Sequence, residues 1–228
     1  LLCLFFTLAA DQFASSLNLT NILTQISINT VISIGMTFVI LLGGIDLSVG
    51  SVLALATIVA GLIMTNEAFP VPLAILLAVV SSIAVGAVCG LFNGFVTERW
   101  KIHSFVVTLG MLNIARGAAL QVSHSRTIFS FPDVFNRFGT KTLGGIPVIF
   151  LMAFVLVLFG TFILSKSVFG RMIYAIGNNE EAVRLSGHNT RLYKVIAFTL
   201  CGATVGIAAI MYMLRLNIAS PILGVGFE

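Results

Sequence analysis

The sequence predicts an all-α fold: a polytopic bundle of transmembrane helices with a broken or re-entrant segment near Asp46. Three observations predict it. Charged residues make up 9% of 228 and hydrophobic residues 58%, with a mean hydropathy of +1.11, whereas a soluble domain carries about 25% charged residues. Apolar runs of spanning length recur along the whole chain, which a single buried core cannot explain. Finally, the run Leu42-Gly43-Gly44-Ile45-Asp46-Leu47-Ser48 places one carboxylate between apolar segments 28–42 and 49–64, with glycines at 43, 44 and 50 and no Lys or Arg before Arg99. A charge within a membrane segment is costly, and non-helical backbone is tolerated there only where it lines a cavity or is buried in protein.

The elements follow in order. A helix needs about 20 apolar residues to cross a bilayer core. Residues 1–10 read as the end of a first span. Segments 22–43 and 48–65 flank the Asp46 break, and 71–97, 104–123, 146–165 and 194–214 complete the set. Run 71–97 carries Gly86, Gly90 and Gly94 at four-residue spacing, with a weaker echo at Gly202 and Gly206. Small residues so spaced share a helix face and admit a second helix at close range. Cys3, Cys89 and Cys201 sit singly in apolar surroundings and read as small buried hydrophobes; His103, His124 and His188 form no ligand pair. The chain starts at Leu1 and stops at Glu228 without a charged tail, and reads as a piece of a longer protein at both ends.

Charge sets the orientation. Lys166, Arg171, Arg184, Arg191 and Lys194 lie in or beside loop 166–193, and Arg99 and Lys101 lie in the short loop at 98–103. Both loops should face the cytoplasm by the positive-inside rule, and the two spans between them agree. Loop 124–145 and Glu67 are then external, the Asp46 turn lies toward the inner side, and the net charge of +4 forms no stripe for nucleic acid.

Several polar residues fall in or near spans. Asp46, Ser48, Asn29, Asn93, Asn113 and Arg116 are the candidate solute pathway, with Gln25 nearby. Such groups bond a neutral polyol or, equally, a neighbouring helix. Arg116 either snorkels to the outer interface or pairs with a buried acid, Asp46 being the obvious one. In loop 166–193, Asn178 or Asn179 caps a short helix with Glu180 and Glu181 in its first turn and Gly187 as its stop, a docking element for a soluble partner or a helix on headgroups. The chain has no GxxxxGK[ST] run, and no Ser/His/Asp set, paired carboxylates or metal cluster points to an enzyme. Transport energy would come from another subunit or from an ion gradient with Asp46 titrating.

Residues 36–51, the run from Thr108 to Gly117, and residues 174–187 resemble, in that order, the signatures of the ribose-type sugar permeases of bacterial ATP-binding-cassette importers. The resemblance covers essentially the whole chain. It implies a single, incomplete permease domain over 1–228 in the bacterial inner membrane, forming the path for a monosaccharide such as ribose. The alternatives are another small solute, such as a nucleoside, a signalling furanose or a branched-chain amino acid. The implied partners are cytoplasmic ATP-binding subunits, a periplasmic sugar-binding protein and a second permease copy or paralogue; ATP is used by the partner and no cofactor is bound by this chain. The implied coupling segment contains Gly170, Arg171, Gly177, Asn178, Glu180, Ala182, Arg184 and Gly187.

Overall fold

Helix follows helix along the chain in the computed structural model, which describes residues 2–10 and 12–227. The order is α1 (Leu2–Ala9), α2 (Ser16–Leu41), α3 (Val49–Met64), α4 (Val71–Trp100), α5 (Ser104–Val122), α6 (Asp133–Gly139), the strands β1 (Thr142–Leu143) and β2 (Ile146–Pro147), then α7 (Val148–Lys166), α8 (Val168–Leu185) and α9 (Thr190–Leu216). Five of them, α2, α4, α5, α7 and α9, are long and apolar enough to cross a membrane. Helix α3, with 16 residues, is about 24 Å long. The predicted spans match these helices to within a few residues, α2 aside, which begins at Ser16. Leu1, Asp11, Glu228 and the side chain of Cys3 lie outside the described residues.

Helix α9 occupies the centre, packed by α4, α2 and α3. The glycine stripes decide the closest contact. A Cβ at Gly86 would run into the Gly202 carbonyl, one at Gly202 into the Gly86 carbonyl, and one at Gly90 into the Phe198 carbonyl. Both predicted stripes therefore face each other, and the backbones of α4 and α9 touch. Ser82 Oγ donates to the Gly206 carbonyl at 2.8 Å across the same seam. Gly35 of α2 adds a third close approach, against Thr204 and Cys201. Apolar side chains on the far faces of α4 and α7, among them Val88, Phe92, Val155 and Phe162, stay exposed, as lipid-facing surfaces require. Helix α3 is enclosed by its neighbours, and Leu62 is its one exposed residue.

Helices α2 and α3 do not form a tight pair; α9 touches both, and Phe198 of α9 reaches toward Gly44 in the segment between them. At the other end of α3, Gly61 meets Ala219 and Ile128, which exchange backbone hydrogen bonds at 2.8 and 3.0 Å. The 98–103 loop and α8 share the opposite side. The loop between α5 and α7 holds a short helix, α6, and a small antiparallel hairpin turned by Gly144 and Gly145 at positive φ. The sequence predicts only an external loop over 124–145. The sequence predicts a helix in loop 166–193 only after Asn178, whereas Ser167 caps one that starts at Val168 by accepting from Gly170 N–H at 3.0 Å.

Candidate functional site

The break is built by two glycines and closed by two hydroxyls. Gly43 has φ +74; its N–H donates to the Ile40 carbonyl at 2.9 Å, and Gly44 N–H donates to the Val39 carbonyl at 3.0 Å. This is a Schellman end, which needs a left-handed residue at Gly43. Residues 45 and 46 then belong to no regular element and Leu47 begins a turn into α3, so their backbone donors have no helical acceptor. Ile45 N–H donates to Ser104 Oγ at 3.1 Å and Leu47 N–H to Thr108 Oγ1 at 3.1 Å, so one face of α5 holds the open backbone.

Asp46 closes the other end. Its Oδ1 accepts from Ser48 N–H at 2.9 Å and from Ser48 Oγ at 2.6 Å, at the start of α3, where the helix dipole favours an anion. Asn93 Nδ2 of α4 donates to Ser48 Oγ at 3.0 Å. Asp46, Ser48 and Asn93 are all buried, and Asn93 Oδ1 has no partner. These three of the six pathway candidates come together. Asn29 is exposed on α2, and Asn113 is exposed on α5 with its amide returned to the Leu109 carbonyl at 2.9 Å. The expected pairing of Asp46 with Arg116 is not made. Arg116 donates to the Pro221 and Leu223 carbonyls, both at 2.7 Å. The reason is position: the α5 residues beside the break are Ser104 and Thr108, and Arg116 lies two turns farther along.

On the side of α8, a cleft of about 240 Å³ is lined by residues that include Gly43, Gly44, Glu98, Glu180, Lys194 and Phe198. Lys194 Nζ lies 2.6 Å from Glu180 Oε2 and 3.2 Å from Glu98 Oε1, while Lys101 Nζ lies 2.9 Å from Glu98 Oε2. Burial alone would raise the Glu180 carboxyl, but the Lys194 ammonium and the Thr190 hydroxyl override it and hold it below its ordinary value. In sequence, Glu98 stands out only as a loop residue and Lys194 only as the edge of a loop, and nothing marks Ser104 or the role of Thr108. The available signal was Glu98 at the foot of a long uncharged span.

Helix α8 is kinked at Asn179, with φ −158 and ψ 93. Asn179 Oδ1 accepts from Ala182 N–H at 3.0 Å, so Asn179, not Asn178, caps the predicted short helix, and Gly187 at φ +85 ends it. Gly170 abuts the Ile163 and Leu164 carbonyls and Gly177 the Leu41 carbonyl. Their small size is used within the chain. Arg171, Asn178, Glu181, Ala182 and Arg184 are exposed around them. Among the described residues no group of His, Cys, Asp and Glu could hold a metal ion, and Cys89 and Cys201 are free thiols.

Residues 18–228 match the family described as the branched-chain amino acid transport system / permease component. The ribose import permease protein RbsC of Escherichia coli K12 is 36% identical over 226 residues, 97% of this chain and 68% of that protein. The D-allose transport system permease protein AlsC of the same organism is 32% identical over 228 residues, 100% of this chain and 69% of that one. The autoinducer 2 import system permease protein LsrC of Salmonella typhi is 31% identical over 230 residues, 100% of this chain and 65% of its own. No solved structure matches. With that match and five membrane-crossing helices, the chain belongs to the family of branched-chain amino acid transport system permease components and is a multi-pass inner-membrane permease.

Proposed function

We propose that the chain is the membrane subunit of an ATP-binding-cassette importer that carries a monosaccharide such as ribose, with ATP hydrolysed by separate cytoplasmic subunits. The observation that carries this reading is the 36% identity to a ribose import permease over 97% of the chain. In this reading a periplasmic sugar-binding protein delivers the solute, a second permease copy or paralogue completes the path, and this chain performs no catalysis. The 98–103 loop and α8 face the cytoplasm, which agrees with their cations lying on one side of the bundle. The terminal turn of α8, with exposed Ala182, docks on the ATPase. Asp46, Ser48 and Asn93 hold the break in place near the solute path.

Reconstitution of the full-length protein in vesicles tests the reading. Ribose uptake should require ATP, the ATPase and the binding protein together. Uptake driven by an ion gradient alone would replace it with a secondary carrier. Ala182→Arg should leave insertion intact and abolish co-purification of the ATPase, because it adds bulk and an unpaired charge to the docking surface. A second solute is favoured by the 31% identity to an autoinducer 2 permease over all of the chain; competition of ribose uptake by that furanose and by allose separates the two.

A further inference from the structure

We propose that Lys194 is a positioning residue for coupling: it bridges Glu180 of α8 to Glu98 of α4 and thereby passes movement of the α8 terminal turn to the glycine end of the α2–α3 break. The inference rests on the docking of α8 proposed above. Four observations carry it.

The first is the junction itself. One ammonium lies 2.6 Å from one carboxylate and 3.2 Å from another, and the three side chains come from α8, α9 and α4. The second is shielding. Exposure is 17% for the Lys194 side chain and 6% for Glu98, against 65% and 60% for the Arg184–Glu181 pair on the same α8 turn. A pair so enclosed leaves an uncompensated charge when one partner goes, whereas an exposed pair is worth little.

The third is the backbone around it. The first part of α8 is pinned by Gly170 and Gly177 against α7 and α2, and helical geometry breaks at Asn179. The terminal turn therefore hinges at Asn179, and Glu180, the next residue, is its charged tie to the bundle. The fourth is what lies beyond the junction. Phe198, one helical turn after Lys194, reaches the position a Cβ on Gly44 would take, with Cζ at 3.2 Å. Ser104, which shares the cleft, holds Ile45 N–H. A pull on Glu180 thus acts on Lys194, and through α9 on Gly44 at the mouth of the break.

The test uses the full-length permease with its ATPase and binding protein in vesicles, reading sugar-stimulated hydrolysis, uptake per ATP and ATPase co-purification. Lys194→Met keeps the stem and removes the charge. It should retain co-purification and basal hydrolysis while sugar-stimulated hydrolysis and uptake fall about tenfold, a size typical of coupling between sites. Lys194→Arg, which can still span two carboxylates, should restore both. Lys194→Gln should reproduce the loss, and it carries the test if the Met variant does not assemble, because it removes the charge while keeping a polar end within the enclosed junction. Unchanged stimulation and uptake in the neutral variants would overturn the proposal. Loss of co-purification in them, with the wild type still binding, would also overturn it by assigning the junction to docking. Failure of the wild-type permease to bind the ATPase would sink the docking reading instead.

Discussion

Along α4, two contacts with α9 lie only a few turns apart and are made of opposite materials. At Gly86 and Gly90 the two backbones touch, with no side chain between them and no room for one. At Glu98 the same two helices meet through the ends of long side chains, Glu98 and Lys194, beside a cleft. A backbone-on-backbone contact has no rotamers, so displacement of either helix produces a clash at once. An ion pair on flexible stems lets its helices pivot while the charges stay joined. The first arrangement makes a frame; the second makes a joint. The chain thus puts its stiff contact halfway along the span and its pivoting contact at the span's end, beside the charged terminal turn of α8.

Overfilling the seam should produce the largest effect. Gly202→Leu places a side chain where the Gly86 carbonyl stands, and overpacking of this kind costs about 1–3 kcal/mol or more. The yield of monodisperse protein and its melting temperature in detergent should both collapse. Gly117→Ala in α5 is the matched control: nothing lies within 4 Å of its added Cβ, and the change should be neutral or stabilising by about 0.5–1 kcal/mol. Equal damage from the two would dissolve the distinction between frame and joint.

Next in size are the groups that close the break. Asp46→Ala strips the Ser48 N–H and hydroxyl of their acceptor, and Thr108→Val strips Leu47 N–H. Each should cost about 1–3 kcal/mol, the cost of a buried group left unpaired. Because Arg116 is turned to the Pro221 and Leu223 carbonyls, Asp46→Asn and Arg116→Gln should add within about 0.5 kcal/mol in thermal unfolding. A clear shortfall from additivity would restore a direct link between them.

The joint responds more gently, and to pH. Glu180 is held below the ordinary glutamate value of 4.5, so its attachment is fully present above that value and fades as pH falls through the lowered one. Spin labels at Arg99→Cys and Arg184→Cys should keep a constant separation from neutral pH to 4.5 and spread only below it. A spread that begins well above 4.5 would exclude Glu180 as the anchor. The smallest effect belongs to the exposed Glu181–Arg184 pair: Glu181→Ala should change the melting temperature hardly at all, since such pairs contribute about 0.2–1 kcal/mol.

How far the sequence could be read depended on what each feature needs for its recognition. The spans were legible because lipid imposes length and apolarity on every residue of α4 or α7 alike. Gly43 and Gly44 were legible as a break, since only a left-handed residue lets a helix end so sharply. The facing of Gly86 and Gly202 required two stripes to be matched across 115 residues of intervening chain, and spacing on each stripe does not reveal which partner it meets. Arg116 went astray because a lone cation and a lone carboxylate invite pairing on charge alone, whereas two backbone carbonyls satisfied the guanidinium. Ser104 and Thr108 carry no charge to advertise them; their role appears only once Ile45 and Leu47 are brought against α5. The start of α8 was obscured by Gly170 and Gly177, which discourage a helix locally and permit it here by letting it lie close to α7 and α2.

The enclosure of α3 has a bearing on how the protein meets membranes of different thickness. A helix bathed in lipid must match its apolar length to the bilayer, by tilting or by deforming it. Helix α3 falls several ångströms short of a hydrocarbon core of about 30 Å, yet it is wrapped by protein, with Leu62 alone exposed. Lipid composition therefore has almost no direct grip on it. Thinning or thickening the bilayer should re-tilt α4, α5 and α7, while the short helix that begins at the Asp46 turn keeps its place like a spindle inside a flexing cage.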